Sequence, residues 1–141
     1  MSKGLAVRAQ VSLEYLLVAG IMLGILGAFV GLALFVHAKG VEALDVKYAY
    51  SFAQRVQGEA QTLQVLGSGS TVLIKGLALN TWHVSVNAHT LSVSVYDAHS
   101  MLIKKIQVQV PGLDELEGTV KGAFAFSMAH EPPNLIGTLQ P

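Results

Sequence analysis

The sequence contains no cysteine, so it can form no disulfide, no cysteine-ligated iron–sulfur cluster and no covalent haem link through C-x-x-C-H. Only 13% of its 141 residues are charged, whereas about a quarter is usual for a soluble domain. The nine basic and nine acidic residues balance, and they form no basic stripe, which argues against nucleic acid as a partner. What remains is a neutral chain that is 52% hydrophobic.

Motifs of catalysis and metal binding are also missing. The five histidines form neither H-x-x-x-H nor H-E-x-x-H, so we predict surface histidines rather than a metal site. No Ser/His/Asp set and no pair of carboxylates stands out, and the acidic stretch 114–117 is typical of a solvated loop. We therefore expect a protein that is not an enzyme, has no catalytic residue and needs no cofactor.

Apolar residues are concentrated near the N-terminus. From Tyr15 to Val36 there is no charged residue and no proline. At roughly 1.5 Å per residue, such a helix is long enough to cross a hydrocarbon core of about 30 Å. Residues 1–9 contain Lys3 and Arg8 and no acidic residue. Because positive flanks stay in the cytoplasm, we expect residues 1–9 inside and everything after Val36 outside.

A hexapeptide at the start of this run is more specific than its hydrophobicity. The pattern Q-x-S-x-E-Y is formed by Gln10, Ser12, Glu14 and Tyr15. With the basic leader before it and the apolar helix after it, the chain resembles an archaeal type IV pilin with a class III signal peptide. The resemblance implies that a prepilin peptidase recognises these four residues together with Arg8. It also implies a cut between Ala9 and Gln10, which removes residues 1–9 as a leader and keeps the apolar helix.

The expected cut has a physical consequence for Glu14. Cleavage exposes an α-amino group at Gln10 and leaves the Glu14 carboxylate one helical turn away. A carboxylate inside a bilayer costs roughly 2.5–3.5 kcal/mol unless it is paired. We therefore predict that Glu14 of one subunit pairs with the Gln10 ammonium of a neighbour, which fixes the stagger of a helical stack. The alternative is that Glu14 lies solvated among the lipid headgroups without such a role.

Four glycines share one stripe of the predicted helix. They follow one another at spacings of 4, 3 and 4 residues, and they are Gly20, Gly24, Gly27 and Gly31. Small residues let membrane helices approach closely, so we predict that this stripe packs against another helix. Packing in a filament core and packing in a simple dimer both stay open from this feature.

Beyond the apolar run the pattern predicts that the helix continues. Apolar residues recur every four or seven positions, as in a helix with one buried face, at Leu44, Tyr48, Phe52, Val56 and Leu63. We therefore predict one long helix over residues 10–66, of which 15–36 is the apolar membrane or filament-core part. The following Gly67 is predicted to be its left-handed cap.

Residues 67–141 change to a period of two, which predicts strands. A short strand begins at 72–74, and alternating stretches follow at 82–86, 91–95 and 106–110, with 87–89 as a three-residue hairpin loop. A further apolar face is formed by Val120, Phe124, Phe126 and Met128, and two prolines precede a last segment at 135–139. The expected fold class is α+β: a long N-terminal helix followed by a small antiparallel β-sheet domain. We expect the helix to cover one face of the sheet and the other face to be exposed to water.

Together these features predict a structural subunit of an extracellular type IV pilus-like filament, used for surface adhesion as the resemblance implies. Its expected partners are copies of itself, the prepilin peptidase, the membrane before assembly, and a membrane-embedded assembly platform with its ATPase motor. The precursor is expected in the cell membrane and the mature chain in a cell-surface filament. Two alternatives stay open. One is a single-pass anchored binding domain that never polymerises, and the other is a secreted β-protein cleaved near Ala38.

Overall fold

The structure, a computed structural model, describes residues 3–140, with side chains from Leu13 onward. Its elements are α1 (Lys3–Leu66), β1 (Thr71–Asn87), β2 (Thr90–Tyr96), β3 (Leu102–Gln109), β4 (Leu116–Glu131) and β5 (Asn134–Gln140). They form two compact units, Met1–Lys39 and Gly40–Pro141. The predicted α+β class is confirmed, because one long N-terminal helix precedes a five-stranded antiparallel sheet.

Both ends of α1 can be compared with the bounds of the predicted helix. The helix begins at Lys3 rather than near Gln10, so the basic leader continues the same helical backbone. It ends at Leu66 as predicted, and Gly67 follows with a φ of 90°. The Gly67 amide donates to the Leu63 carbonyl at 3.2 Å, which is the bond of a left-handed helix cap. Glycine suits this position because a side chain at positive φ is strained.

The sheet is built around β1. Its strand order is β3-β2-β1-β4-β5, and every neighbouring pair is antiparallel. Strands β2 and β3 follow β1 as successive hairpins, whereas β4 lies on the other side of β1 and forms a hairpin with β5. Buried and exposed positions alternate along β1 and β4. The sheet therefore has one buried and one wet face, as predicted for an open antiparallel sheet, except along β2, where Ser92 and Ser94 are buried as well.

Strand β1 is longer than predicted. The segments 72–74 and 82–86, which we expected as separate strands, belong to one strand of 17 residues. They are joined by a β-bulge, because Ala78 lies opposite Gly122 whereas Trp82 lies opposite Val120. A bulge adds residues to one strand and breaks its alternation locally. The apolar alternation in the sequence is therefore interrupted at the bulge, although the strand continues through it.

The β1–β2 hairpin loop is shorter than predicted. Asn87 pairs with Thr90, so the loop has two residues, Ala88 and His89, instead of the three expected. Both have positive φ, 47° and 62°. Two such residues are the requirement of a type I′ turn, whose twist matches that of the flanking strands.

One face of α1 in the unit Gly40–Pro141 packs on the buried side of the sheet. Phe52, Val56 and Leu63 are buried as predicted, but the prediction was wrong for Leu44 and Tyr48, which are 48% and 40% exposed. The buried stripe begins one position later and is completed by small residues and one acid. These are Asp45, Ala49, Ala53 and Ala60. Because alanine carries only a methyl group, it lets the helix backbone lie close to the sheet.

Four aromatic side chains fill the space between helix and sheet. The ring centroids of Phe52 and Phe124 are 5.1 Å apart, and those of Trp82 and Phe124 are 5.6 Å apart, both in edge-to-face geometry. Phe126 lies 5.9 Å from Phe52 in the same manner. Such pairs contribute about 0.5–1.5 kcal/mol beyond their buried area. Gly76 lies opposite Phe124 in the register and leaves room for its ring, since a Cβ at Gly76 would overlap the ring atoms.

We predict that Gly76→Ala lowers the free energy of unfolding by about 1–3 kcal/mol, because the added methyl group forces Phe124 out of its position. Gly58→Ala is the matched control. Its Cβ meets nothing within 4 Å, and alanine stabilises a helix by about 1 kcal/mol relative to glycine. Denaturant unfolding of the detergent-solubilised chain, followed by its single tryptophan, measures both. Equal midpoints for the two variants would contradict the assigned packing.

Candidate functional site

The unit Met1–Lys39 presents an apolar surface, here called the apolar segment and defined as residues 13–36. Its large apolar side chains are between 52% and 74% exposed. A continuous apolar surface of this extent marks a contact with lipid or with another chain. The helical backbone satisfies its own hydrogen bonds, which a hydrocarbon environment requires. Among the described residues, α1 is the one helix that is long and apolar enough to cross a membrane.

Most of the predicted cleavage site lies outside the described side chains. Arg8, Ala9, Gln10 and Ser12 belong to the N-terminal part of α1, but side chains are described only from Leu13 onward. The recognition of these residues by a peptidase and the pairing of the Gln10 ammonium with Glu14 therefore stay predictions. Glu14 and Tyr15 are described, and both side chains are exposed on α1. Exposure leaves both side chains accessible to another molecule.

The glycine stripe forms an open strip on α1. A Cβ built on Gly20, Gly24, Gly27 or Gly31 meets no atom within 4 Å. The glycines are therefore not required by the packing of this chain in its described part. Their lack of side chains leaves the helix backbone accessible to a second helix, which is the arrangement that small-residue stripes favour in membranes.

Asp45 carries the main polar attachment of α1 to the sheet. Its side chain is fully buried. Oδ1 accepts hydrogen bonds from the Leu79 amide at 2.9 Å and from the Trp82 indole N–H at 2.8 Å. Oδ2 accepts one from the Asn80 amide at 3.0 Å. Leu79 and Asn80 lie within the β1 bulge, where the pairing with β4 is interrupted. The carboxylate therefore supplies acceptors to amides that the sheet leaves without a strand partner.

Two glutamines attach the other end of the same helix face. Gln57 Nε2 donates to the Gln109 carbonyl at 3.1 Å, at the end of β3. Gln64 Nε2 donates to the Pro111 carbonyl at 2.7 Å, in the following turn. These amides are exposed, so each contributes less than a buried bond. Together with Asp45 they fix the direction of α1 across the sheet.

Sequence reasoning missed the role of Asp45. The predicted buried face began with Leu44 and Tyr48 and did not include Asp45. A signal was nevertheless present, since Asp45, Ala49 and Phe52 follow one another at spacings of 4 and 3, as the buried face of a helix requires. The alanines on that face were overlooked because the predicted pattern was built on bulky apolar residues.

A groove of about 430 Å³ opens on the wet face of the sheet. His83 Nε2 lies 3.0 Å from Glu117 Oε1 across it, and the two side chains are 35% and 76% exposed. A pair so well solvated contributes little stability. In the part of the chain with described side chains, no three His, Asp or Glu residues come close enough to hold a metal ion. The solvated-loop prediction for 114–117 holds only for its first two residues, because Leu116 and Glu117 begin β4 and pair with Val86 and Ser85 of β1.

Comparison with known proteins identifies no relative: no family model, no curated protein and no solved structure matches the chain.

We predict that Asp45→Ala lowers the free energy of unfolding by about 3 kcal/mol, because three N–H donors lose their acceptor and each buried unsatisfied donor costs about 1–3 kcal/mol. Glu115→Ala removes an exposed carboxylate and serves as the control, with an expected change within about 0.5 kcal/mol. Denaturant midpoints give both values. The emission of Trp82 in the native state is a second readout, since its indole N–H loses its partner. A midpoint for Asp45→Ala equal to that of the control contradicts the assigned role.

Proposed function

We propose that this chain is a pilin-like subunit that polymerises through its apolar segment. The observation that carries the proposal is the combination of that exposed apolar helix surface with a second unit that has its own aromatic core. A helix of this kind needs lipid or other helices around it. The Q-x-S-x-E-Y pattern at its start selects the second of these as the final environment, as the resemblance to archaeal type IV pilins implies.

The proposed mechanism is non-covalent exchange of one apolar environment for another. Before assembly the apolar segment lies in the membrane, with residues 1–9 in the cytoplasm and the β unit outside. Prepilin peptidase cuts between Ala9 and Gln10, and an assembly platform with its ATPase motor moves the helix from lipid into a bundle of identical helices. Lipid tails and helix cores are similarly apolar, so burial alone does not drive this step. Close packing, charge pairing and the work of the motor decide it.

Glu14 determines the stagger of neighbouring helices in the bundle. An unpaired carboxylate within an apolar bundle is strongly unfavourable. A neighbour at the correct stagger brings its Gln10 ammonium to the Glu14 carboxylate and neutralises both charges. A misplaced neighbour leaves both unpaired. The mature filament then lies at the cell surface with apolar helices inside and β units outside, where those units serve adhesion.

One prediction of the proposed function concerns Glu14→Gln in cells that carry the assembly machinery. The unsubstituted chain is expected to begin at Gln10 in its mature form and to yield filaments. The variant loses the charge but keeps its shape, so its filament yield is expected to fall on the order of tenfold or more. N-terminal sequencing and electron microscopy of sheared surface material measure these outcomes. Glu115→Gln removes a charge from an exposed loop and should leave the yield unchanged.

Each alternative function has its own result in that experiment. A mature chain that begins at Met1 or Ser2 supports a non-polymerising membrane anchor. A chain that begins at Lys39 supports ordinary secretion after a cut at Ala38. An undiminished filament yield for Glu14→Gln refutes the charge-pair mechanism, even where the N-terminus is Gln10.

Another prediction of the proposed function concerns the glycine stripe. Gly24→Leu combined with Gly27→Leu places two large side chains on the strip where a second helix is proposed to pack, and filaments should be absent. Ala33→Leu is the matched control, because position 33 lies half a turn away from Gly24 around the helix. That variant is expected to assemble normally. Filament counts by electron microscopy, at equal membrane levels of each chain, decide the comparison, and normal assembly of the double variant contradicts the packing role.

A further inference from the structure

The β2–β3 turn of the unit Gly40–Pro141 presents apolar side chains to solvent. The Asp97 Oδ1 atom accepts hydrogen bonds from the His99 and Met101 amides, both at 2.8 Å. The Asp97 amide donates to the Met101 carbonyl at 2.9 Å. The turn is thus held by its own bonds, yet Met101 is 67% exposed and Leu102 is 54% exposed. Two adjacent apolar side chains are therefore held outside the core.

Two lysines lie beside this apolar pair. Lys104 and Lys105 follow it on β3, and both are exposed. The strand contacts the core through the partly buried Ile103, directly before the two lysines, and through the buried Ile106, directly after them. Met101, Leu102, Lys104 and Lys105 are together called the turn patch; because successive residues of a strand face opposite sides, the two lysines flank the apolar tip on either side of β3. An apolar tip flanked by ammonium groups matches the boundary between lipid tails and phosphate headgroups.

The turn patch lies at the end of this unit where the chain enters at Gly40. Asp45, near the start of the unit, bonds the amides of Leu79 and Asn80. The next residue of β1, Thr81, pairs with Tyr96, which directly precedes the turn. The far end of the helix instead bonds the end of β3 and the turn after it. Helix and β3 therefore run in the same direction, and both start at the turn-patch end.

Chain connectivity limits the distance between this end and the apolar segment. Asp45 follows Val36, the last residue of the apolar segment, by nine positions. Even a fully extended chain of that length spans at most about 32 Å. The end of the unit that carries the turn patch is therefore joined to the end of the apolar segment by a short stretch of chain. The β1–β2 turn, with Ala88, lies at the opposite end.

We propose that the turn patch docks onto the membrane surface while the chain is still inserted, with Met101 and Leu102 among the headgroups and both lysines on lipid phosphates. This inference rests on the membrane insertion that the proposed function shares with the single-pass anchor. It does not depend on polymerisation. Docking restrains the β unit against the bilayer for as long as the chain stays inserted.

The absence of cysteine permits a direct test with single labels. Full-length chain with Ala98→Cys is labelled with a polarity-sensitive fluorophore and placed in nanodiscs of phosphatidylcholine with one third phosphatidylglycerol. Ala88→Cys, an equally exposed alanine in the opposite turn, is the matched control. The label at position 98 should show blue-shifted emission and quenching by a headgroup-level quencher at least about twice that at position 88. The effect should fall with added salt and in pure phosphatidylcholine, since the lysine contacts are screened.

Two variants and a third label complete the test. Lys104→Gln with Lys105→Gln, and separately Met101→Ser with Leu102→Ser, should each bring the quenching at position 98 down to the level at position 88. A label at Ala28→Cys reports whether the apolar segment lies in hydrocarbon. Hydrocarbon at position 28 with equal quenching at positions 98 and 88 overturns the docking and leaves the proposed function intact. Water at position 28 overturns both.

Discussion

The buried carboxylate of Asp45 is the interaction on which the fold of the second unit depends. Strand β1 carries a bulge at its centre, and the amides there have no partner on β4. A buried acceptor on the covering helix satisfies them and also bonds the indole of the largest core side chain. Helix, bulge and aromatic core are therefore fixed by one side chain. An apolar residue at position 45 would pack equally well by volume, but it would leave the bulge amides without acceptors.

The same helix serves two environments with opposite chemistry. Around Asp45 it shows the sheet a narrow stripe of alanines and three larger apolar residues, and its other sides mix polar side chains with exposed apolar ones such as Leu44 and Tyr50. In the apolar segment every side is hydrophobic, and polarity is restricted to its start. The first pattern is that of a helix in a water-soluble core, and the second that of a helix surrounded by apolar groups on all sides. These two patterns are what the proposed exchange of lipid for neighbouring helices needs, since one part of the helix belongs to a folded unit and the other exposes only apolar groups.

The fold class, the helix end at Leu66 and the β4 face were predictable, because they depend on local rules: periodicity, a glycine cap and strand alternation. The errors came from features that need a partner in space. The bulge and Asp45 explain each other, and neither is visible from its own segment. Leu44 and Tyr48 showed the spacing of a buried face, but the adjacent stripe of small residues allowed closer packing. For the candidate site, the sequence identified the apolar segment and its glycines, while the pairing of Glu14 requires a second chain.

The wet face of the sheet is less constrained in its amino-acid sequence than the rest of the unit. Its side chains, such as His83 and Ser85, alternate with core positions but contribute nothing to the attachment of α1. Asp45 accepts from backbone amides and from the Trp82 indole, and Gln57 and Gln64 donate to backbone carbonyls, so none of these bonds involves a side chain of the wet face. Surface chemistry on this face can therefore diverge while the helix, its cap and the bulge are preserved. Under the proposed function, a lineage could diversify what the filament touches without altering how the filament is built.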